Sequence, residues 1–320
     1  MAVRYPLYHL RNPPTDRLPR PPELPQLTFA GMSSNHHAHT YFSDGVGEPK
    51  AYVEAALEQG VTHYGFSDHA PIPLNDMGSM KLAELSSYIS TIDGLRTAYA
   101  DRITLYRSLE VDYIPGVMNV ASPHILKAGL DYTVGAVHYV DYLPDGSPWS
   151  FQRPNPTFER GINTIFGGSV RKMVERYYAL VREMVTQHPP DIVAHLDRIK
   201  RRNSSGRYWD EHADWHVAAV EETLEAIAGA GCIMEVNTRG IYLNETPDTY
   251  PSRWIVERAH ARGIPLQVNS DAHQQQHITG GFGEAYRMLR GLGVEQVKVF
   301  GGSGFGEVGL PEVAYSGDAR

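Results

Sequence analysis

Short apolar, β-branched runs alternate with longer stretches whose apolar residues recur every three or four positions, from residue 35 almost to the end of the chain. The short runs predict strands at 35–39, 62–67, 103–111, 131–137, 191–196, 232–237 and 264–270, with a weaker one at 297–300. The longer stretches predict helices. Val170 to Val185 carries apolar residues at 170, 173, 174, 177, 180, 181 and 184, a single helical stripe, and 48–59, 213–230 and 281–292 follow the same period. Strand–helix alternation implies parallel strands joined by helical crossovers. Seven or eight such units fit a closed α/β barrel of roughly 250 residues; an open doubly wound sheet is the alternative.

Three stretches break the alternation. Residues 1–30 hold prolines at 6, 13, 14, 19, 21, 22 and 25, too many for a helix or central strand, and predict an extended arm ahead of one catalytic barrel spanning 31–320. Residues 139–168 predict a long strand-to-helix connection lying over one rim of the barrel, and 238–250 a shorter rim loop with Arg239 and Tyr242.

Chemistry gathers where the strands end. There stand His37-Ala38-His39, Asp68-His69, Glu110-Val111-Asp112, His138, His195-Leu196-Asp197 and Asp271-Ala272-His273. Taken singly, each histidine reads as a hydrogen-bonded rim residue. Their recurrence at successive strand ends points instead to one shared metal site, and it favours the barrel, which brings every strand end around one axis. Residues two apart on a strand face the same side, so His37 and His39 can chelate one ion, whereas His36 is expected to point away from that side. Asp44 adds a carboxylate in the first rim loop. Imidazole with carboxylate suits zinc, manganese or iron, and the single Cys232 excludes a thiolate-rich structural zinc site. A carboxylate such as Glu110 can bridge two cations within ~4 Å of each other, as in two-metal hydrolases.

These strings, together with Gly65-Phe66-Ser67-Asp68-His69-Ala70-Pro71, Gly135-Ala136-Val137-His138-Tyr139 and Glu235-Val236-Asn237-Thr238, resemble the polymerase-and-histidinol-phosphatase superfamily of metal-dependent phosphoesterases, and within it the histidinol-phosphatase branch. The resemblance runs from residue 37 to residue 273 in the family's order. It implies a distorted (β/α)7 TIM-like barrel with three divalent ions (zinc, manganese or iron) at the C-terminal rim. Carried over residue by residue, it puts His37, His39, Glu110 and Asp271 on a first ion. Glu110 bridges to a second, held also by His138 and His195, and Asp44, His69 and His273 hold the third. Glu110 and Asp271 are then the catalytic carboxylates around a hydroxide that attacks phosphorus, with no separate acid assigned. Arg176, Lys200 and Arg201 are candidate phosphate anchors, while Asp68, Asp112 and Asp197 either orient histidines or cap loops. The implied reaction is hydrolysis of L-histidinol phosphate to L-histidinol and phosphate in histidine biosynthesis. Asp141, Asp145 and Glu245 would offer an acidic rim to a cationic amino alcohol. The alternatives are a phosphoesterase or exonuclease of the same superfamily acting on another ester, and a metal-binding regulatory module without catalysis. Two positions depart from the family pattern: Lys200-Arg201 replaces a lysine pair, and Arg239 stands where a small residue is usual.

Composition narrows the partners. Lys plus Arg number 29 against 37 Asp plus Glu, a net charge of −8, which disfavours a nucleic-acid partner and leaves a small phosphate monoester as the expected one. One cysteine, no run of roughly 18 apolar residues and no apolar signal core predict a cytoplasmic protein away from the membrane. The sequence leaves the oligomeric state open.

Overall fold

The structure, a computed structural model, describes residues 27–30, 32–74, 78–152 and 156–315. Parallel strands Ser34–Asn35, His63–Phe66 and Thr104–Arg107 pair in that order. A second parallel run joins Glu110–Asp112, Val134–Ala136, Ile192–Val193, Ile233–Asn237 and Leu266–Asn269, again each beside the next. Thr104–Arg107 and Glu110–Asp112 are two halves of one stave that changes neighbours at its middle: Ser108 N donates to the Phe66 carbonyl at 2.8 Å, and Val134 N to the Leu109 carbonyl at 3.1 Å. The ring is completed at the other seam. Ala38 forms a parallel bridge with Ala272, and His39 N donates to the Ala272 carbonyl at 2.8 Å. Seven staves therefore follow one another around a distorted barrel.

The barrel wall sorts residues by alternation. Val134, Ala136, Ile192, Ala194 and Ile233 form an inner cluster with Tyr106 and Tyr132, whereas Val193, Met234 and Val236 join an outer layer under the helices. Gly65 is required on the inner side, because a Cβ there would lie 1.8 Å from the Tyr132 hydroxyl. The eighth run, Gln296–Phe300, is not a stave. It turns into an antiparallel hairpin with Phe305–Gly309, and Phe300 and Phe305 pack against the inner cluster. The His36 ring turns to this aromatic group, edge-on to Tyr132 at 5.4 Å, while His37 serves the opposite end.

Helices cover the outside where the apolar period predicts them. Val170–Gln187 buries Met173, Val174, Tyr177, Tyr178, Leu180, Val181, Met184 and Val185, each worth about 1.5–3 kcal/mol by area. Ser169 starts it, accepting from Lys172 N at 3.3 Å. Pro49 opens Pro49–Glu58, and Gly231 in the left-handed region closes Asp214–Ala230. Helices Leu85–Ala98 and Arg253–Ala261 were not anticipated from the pattern. Cys232 is buried, as expected, and burial pushes its thiol up to about 11.

The long connection is folded rather than open. Tyr139–Tyr142 and Pro148–Ser150 make a hairpin, and Thr157–Phe166 a further helix whose Phe158 and Phe166 pack on Trp149 at 5.9 Å. Glu159 of this helix meets Arg207 and Tyr208, so the insertion walls the loop that follows His195. Of the predicted arm, residues 1–26 lie outside the described residues, and Leu27–Ala30 pairs antiparallel with Glu312–Tyr315. No helix among the described residues is long and apolar enough to cross a membrane.

Candidate metal centre

Every stave carries its polar residue at, or just beyond, the C-terminal end, so side chains far apart in sequence meet in one buried cluster. Glu110 is its hub. One of its oxygens lies 2.9 Å from His195 Nε2 and 3.7 Å from His138 Nε2; the other lies 3.0 Å from His69 Nδ1 and 3.4 Å from both His37 Nε2 and His39 Nε2. Asp271 Oδ1 stands 3.3 Å from His39 Nε2 and 3.9 Å from His37 Nε2. Asp44 Oδ1 reaches His273 Nε2 at 3.0 Å, His39 Nδ1 at 3.5 Å and His69 Nε2 at 3.8 Å. All nine residues expected as ligands thus come together.

Hydrogen bonding alone does not account for this arrangement. His37 Nδ1 faces Glu235 Oε1 at 2.7 Å and His138 Nδ1 faces Asp112 Oδ1 at 2.9 Å. His37 spends its ring proton on Glu235, which aims its Nε2 lone pair at Glu110; the Asp112 carboxylate beside His138 Nδ1 favours the same orientation by charge. Lone pairs facing a carboxylate need either a second proton or a cation between them. Donor atoms fall within 4.8 Å of one another in three groups: His37, His39 and Asp271; His69, Glu110 and His138; and His39, Asp44, His69 and His273. The donor set therefore fits divalent ions that accept imidazole and carboxylate.

Electrostatics agree. Burial opposes ionisation of Glu110, yet His69, His37 and His138 hold its carboxyl well below the usual range. Asp271 behaves alike: burial opposes its charge, and Arg239 and His37 lower its pKa well below normal. Burial also opposes charge on His37, but Glu235, Glu110 and Asp271 raise it well above the ordinary imidazole value. Burial and then the neighbouring His273 and His69 push His39 down to about 3, leaving its ring neutral. The cluster keeps its carboxylates charged and attracts positive charge.

Two of these residues sit in strained backbone. His195 has φ 23° and Asp271 φ 51°, both in the left-handed region that non-glycine residues rarely adopt. The Asp271 carbonyl is held by Arg239 Nη1 at 2.7 Å and Tyr242 Oη at 3.1 Å. Sequence reasoning gave Glu235 no role, although it is fully buried and organises the centre. Besides His37, it accepts from His195 N at 2.9 Å, Asn237 Nδ2 at 3.0 Å and Asn269 Nδ2 at 3.0 Å. A glutamate amid strand residues was the available signal.

The other expectations divide. Asp112 orients His138, whereas Asp68 accepts from Thr40 and Ser43 to shape the loop bearing Asp44, and Asp197 accepts from Ser252 N at 2.9 Å. Lys200 is corrected. Its ammonium is buried and gives its donors to Asp197 at 2.9 Å, the Thr249 carbonyl at 2.7 Å and Ser252 Oγ at 2.5 Å, leaving nothing for a phosphate. Replacing Lys200 by methionine strands Asp197 as a buried charge and is expected to lower stability by ~3–5 kcal/mol in denaturant titration, with KM unchanged. Arg201 is paired with Glu245 Oε1 at 2.7 Å, while Arg198 takes Oε2 at 2.8 Å. Residues three apart eclipse in the 3₁₀ helix Arg198–Arg202, which puts both arginines on Glu245 and sends Lys200 elsewhere. Glu245 is thereby committed to arginine rather than open to an amine. Arg176 pairs with Glu183 at 3.9 Å on its own helix. Asp141 and Asp145 are engaged in their own turn.

Comparison with known proteins supplies the context. The PHP domain family matches residues 35–239. A probable histidinol-phosphatase of Deinococcus radiodurans is 30% identical over 83% of this chain and 95% of its own. The histidinol-phosphatase of Bacillus subtilis is 28% identical over 78% of this chain and 95% of its own. In fold, the chain is similar to histidinol phosphate phosphatase from Lactococcus lactis, solved with zinc, L-histidinol and phosphate (TM-score 0.63, 18% identity, 86% of this chain and 98% of that one). A second neighbour, from Listeria monocytogenes, gives a TM-score of 0.68 at 20% identity over 79% of this chain and 99% of that one.

Proposed function

The chain belongs to the PHP domain family, among its histidinol-phosphatases, and on that premise we propose that it hydrolyses L-histidinol phosphate to L-histidinol and phosphate with divalent ions. The observation that carries this reading is the convergence of five imidazoles on Glu110, with Asp271 and Asp44 beside them. His37, His39, Glu110 and Asp271 would hold a first ion, Glu110, His138 and His195 a second, and Asp44, His69 and His273 a third. Zinc, manganese and iron all suit these donors. When bound, the ions supply Lewis-acid stabilisation of the phosphoryl oxygens and activation of water.

The chain's own residues do the rest. Glu110 and Asp271 fix the spacing of the centre through buried carboxylates that stay ionised at neutral pH. Glu235 and Asp112 hold His37 and His138 in the tautomer that presents Nε2. Arg198 and Arg201, steadied by Glu245, lie on the Asp271 side as the basic wall against which phosphate oxygens dock, with Arg176 a further candidate.

The test is phosphate release by the purified protein from L-histidinol phosphate, a generic monoester, a diester and single-stranded DNA, with Mn²⁺ or Zn²⁺ and with a chelator. Strong preference for the first, lost on chelation, is the expected result. Turnover of the other esters alone would overturn the substrate and keep the metal chemistry. Metal binding without turnover of any ester would make the chain a binding module.

A further inference from the structure

Arg239 opens the short helix Arg239–Tyr242, and its guanidinium turns back to the metal centre. Nη1 donates to the Asp271 carbonyl at 2.7 Å, stands 3.4 Å from Asp271 Oδ1 and also meets His273 Nδ1, while Nε has no hydrogen-bond partner. The Asp271 carbonyl lies 3.1 Å from the same His273 Nδ1. These two contacts to Nδ1 exclude each other. Guanidinium is only a donor, so its contact requires a lone pair on Nδ1 and the ring proton on Nε2, aimed at Asp44 Oδ1 3.0 Å away. A carbonyl is only an acceptor, so its contact requires the proton on Nδ1. An ion at Nε2 demands that second arrangement, with the same number of protons and the lone pair turned outward to Asp44 and His69.

Metal and arginine thus compete for one imidazole. Charge acts in the same direction, because a guanidinium on the ligand ring repels a dication at its other nitrogen. In the first ion group Arg239 also stands 3.4 Å from Asp271 Oδ1, but a carboxylate keeps further lone pairs for an ion, whereas a single ring nitrogen cannot be shared. Among the described residues, the group of His138 and His195 has no such neighbour. Around Glu110, the Nδ1 atoms of His37 and His138 face carboxylates, which favour an ion at Nε2.

We propose that Arg239 makes the ion site of Asp44, His69 and His273 the weak, exchangeable one of the three, and that its guanidinium supplies the positive charge there while the ion is away. This rests on the three-ion reading above. The residue is a positioning residue, and the number of bound ions under working conditions depends on it.

The experiment is a Zn²⁺ or Mn²⁺ titration of the chelator-stripped full-length chain, read by calorimetry and by elemental analysis after equilibrium dialysis. Two ions are expected to bind tightly and a third at least tenfold more weakly. Arg239→Met should tighten the third at least tenfold and shift the ion of His138 and His195, whose ligands Arg239 does not touch, by less than threefold. Asp44→Asn should remove the weak phase alone, which tests the assignment even if the Arg239 variant fails to fold. Three equal affinities in the unaltered chain, or a third affinity in Arg239→Met no tighter than before, would overturn the proposal and leave the three-ion reading standing. Fewer than three ions bound by both proteins at saturation would overturn that reading itself.

Discussion

Glu110→Gln is expected to lower the rate of phosphate release by at least about 10²–10³-fold at saturating substrate, the range seen when one preorganised charge-stabilising group is removed from an active site. Glutamine keeps the shape but gives up the charge and one acceptor oxygen. Both Glu110 oxygens are engaged, at 2.9 Å from His195 and 3.0 Å from His69, so neither loss is local. Without the carboxylate, His69, His37 and His138 lose the partner whose charge they share. The check is kcat alongside metal content and circular dichroism: a folded protein with depleted metal and collapsed turnover is the expected triplet. A folded variant within tenfold of the unaltered rate would remove Glu110 from the centre of the mechanism.

Glu235→Gln should act differently. This residue reaches its ligands from behind, through His37 Nδ1 and His195 N, so its loss frees the tautomer and tilt of His37 without deleting a donor atom. Partners of this kind typically contribute 10–100-fold in metal affinity. The expected signature is a loss of that size in binding of the ion proposed at His37, with turnover recovering as metal is raised. Glu110→Gln should not recover in that way. Failure of added metal to restore Glu235→Gln would mean that the carboxylate supports the barrel rather than the ions.

How much of this was legible beforehand depended on the kind of signal each element leaves. Strands buried on both faces announce themselves as apolar runs, which is why the staves around 62–67, 232–237 and 264–270 lie where the pattern puts them. Ligands at strand ends were legible for a related reason, since a charged or imidazole side chain closing an apolar run stands out. Helix Leu85–Ala98 was missed because Ser86, Ser87, Ser90, Thr91 and Gly94 dilute its propensity and its apolar stripe. The 139–168 stretch looked structureless because its hairpin and helix are stabilised by Trp149, Phe158 and Phe166 meeting across the insertion, a long-range effect invisible to local period. Gln296–Phe300 has the composition of a stave, but its partner is the following strand, and only topology distinguishes the two. Lys200 and Arg201 looked equivalent in sequence; a 3₁₀ turn separates them, one into an internal network and the other toward Glu245.

The seam at Ala38 and Ala272 has a consequence for how the chain assembles. It lies between His37 and His39 on one side and Asp271 and His273 on the other, joining the first stave to the last across more than two hundred residues of chain. Forming contacts of such separation is slow and entropically costly. A metal ion bound there would act as a latch that recognises only the finished ring, since the unfolded chain scatters the same donors. Thermal stability should therefore climb with the free ion concentration, by about 2.7 kcal/mol when that concentration is a hundred times the dissociation constant. Metal supply in the cell would then set both how fast this protein turns over its ester and how much of it stays folded.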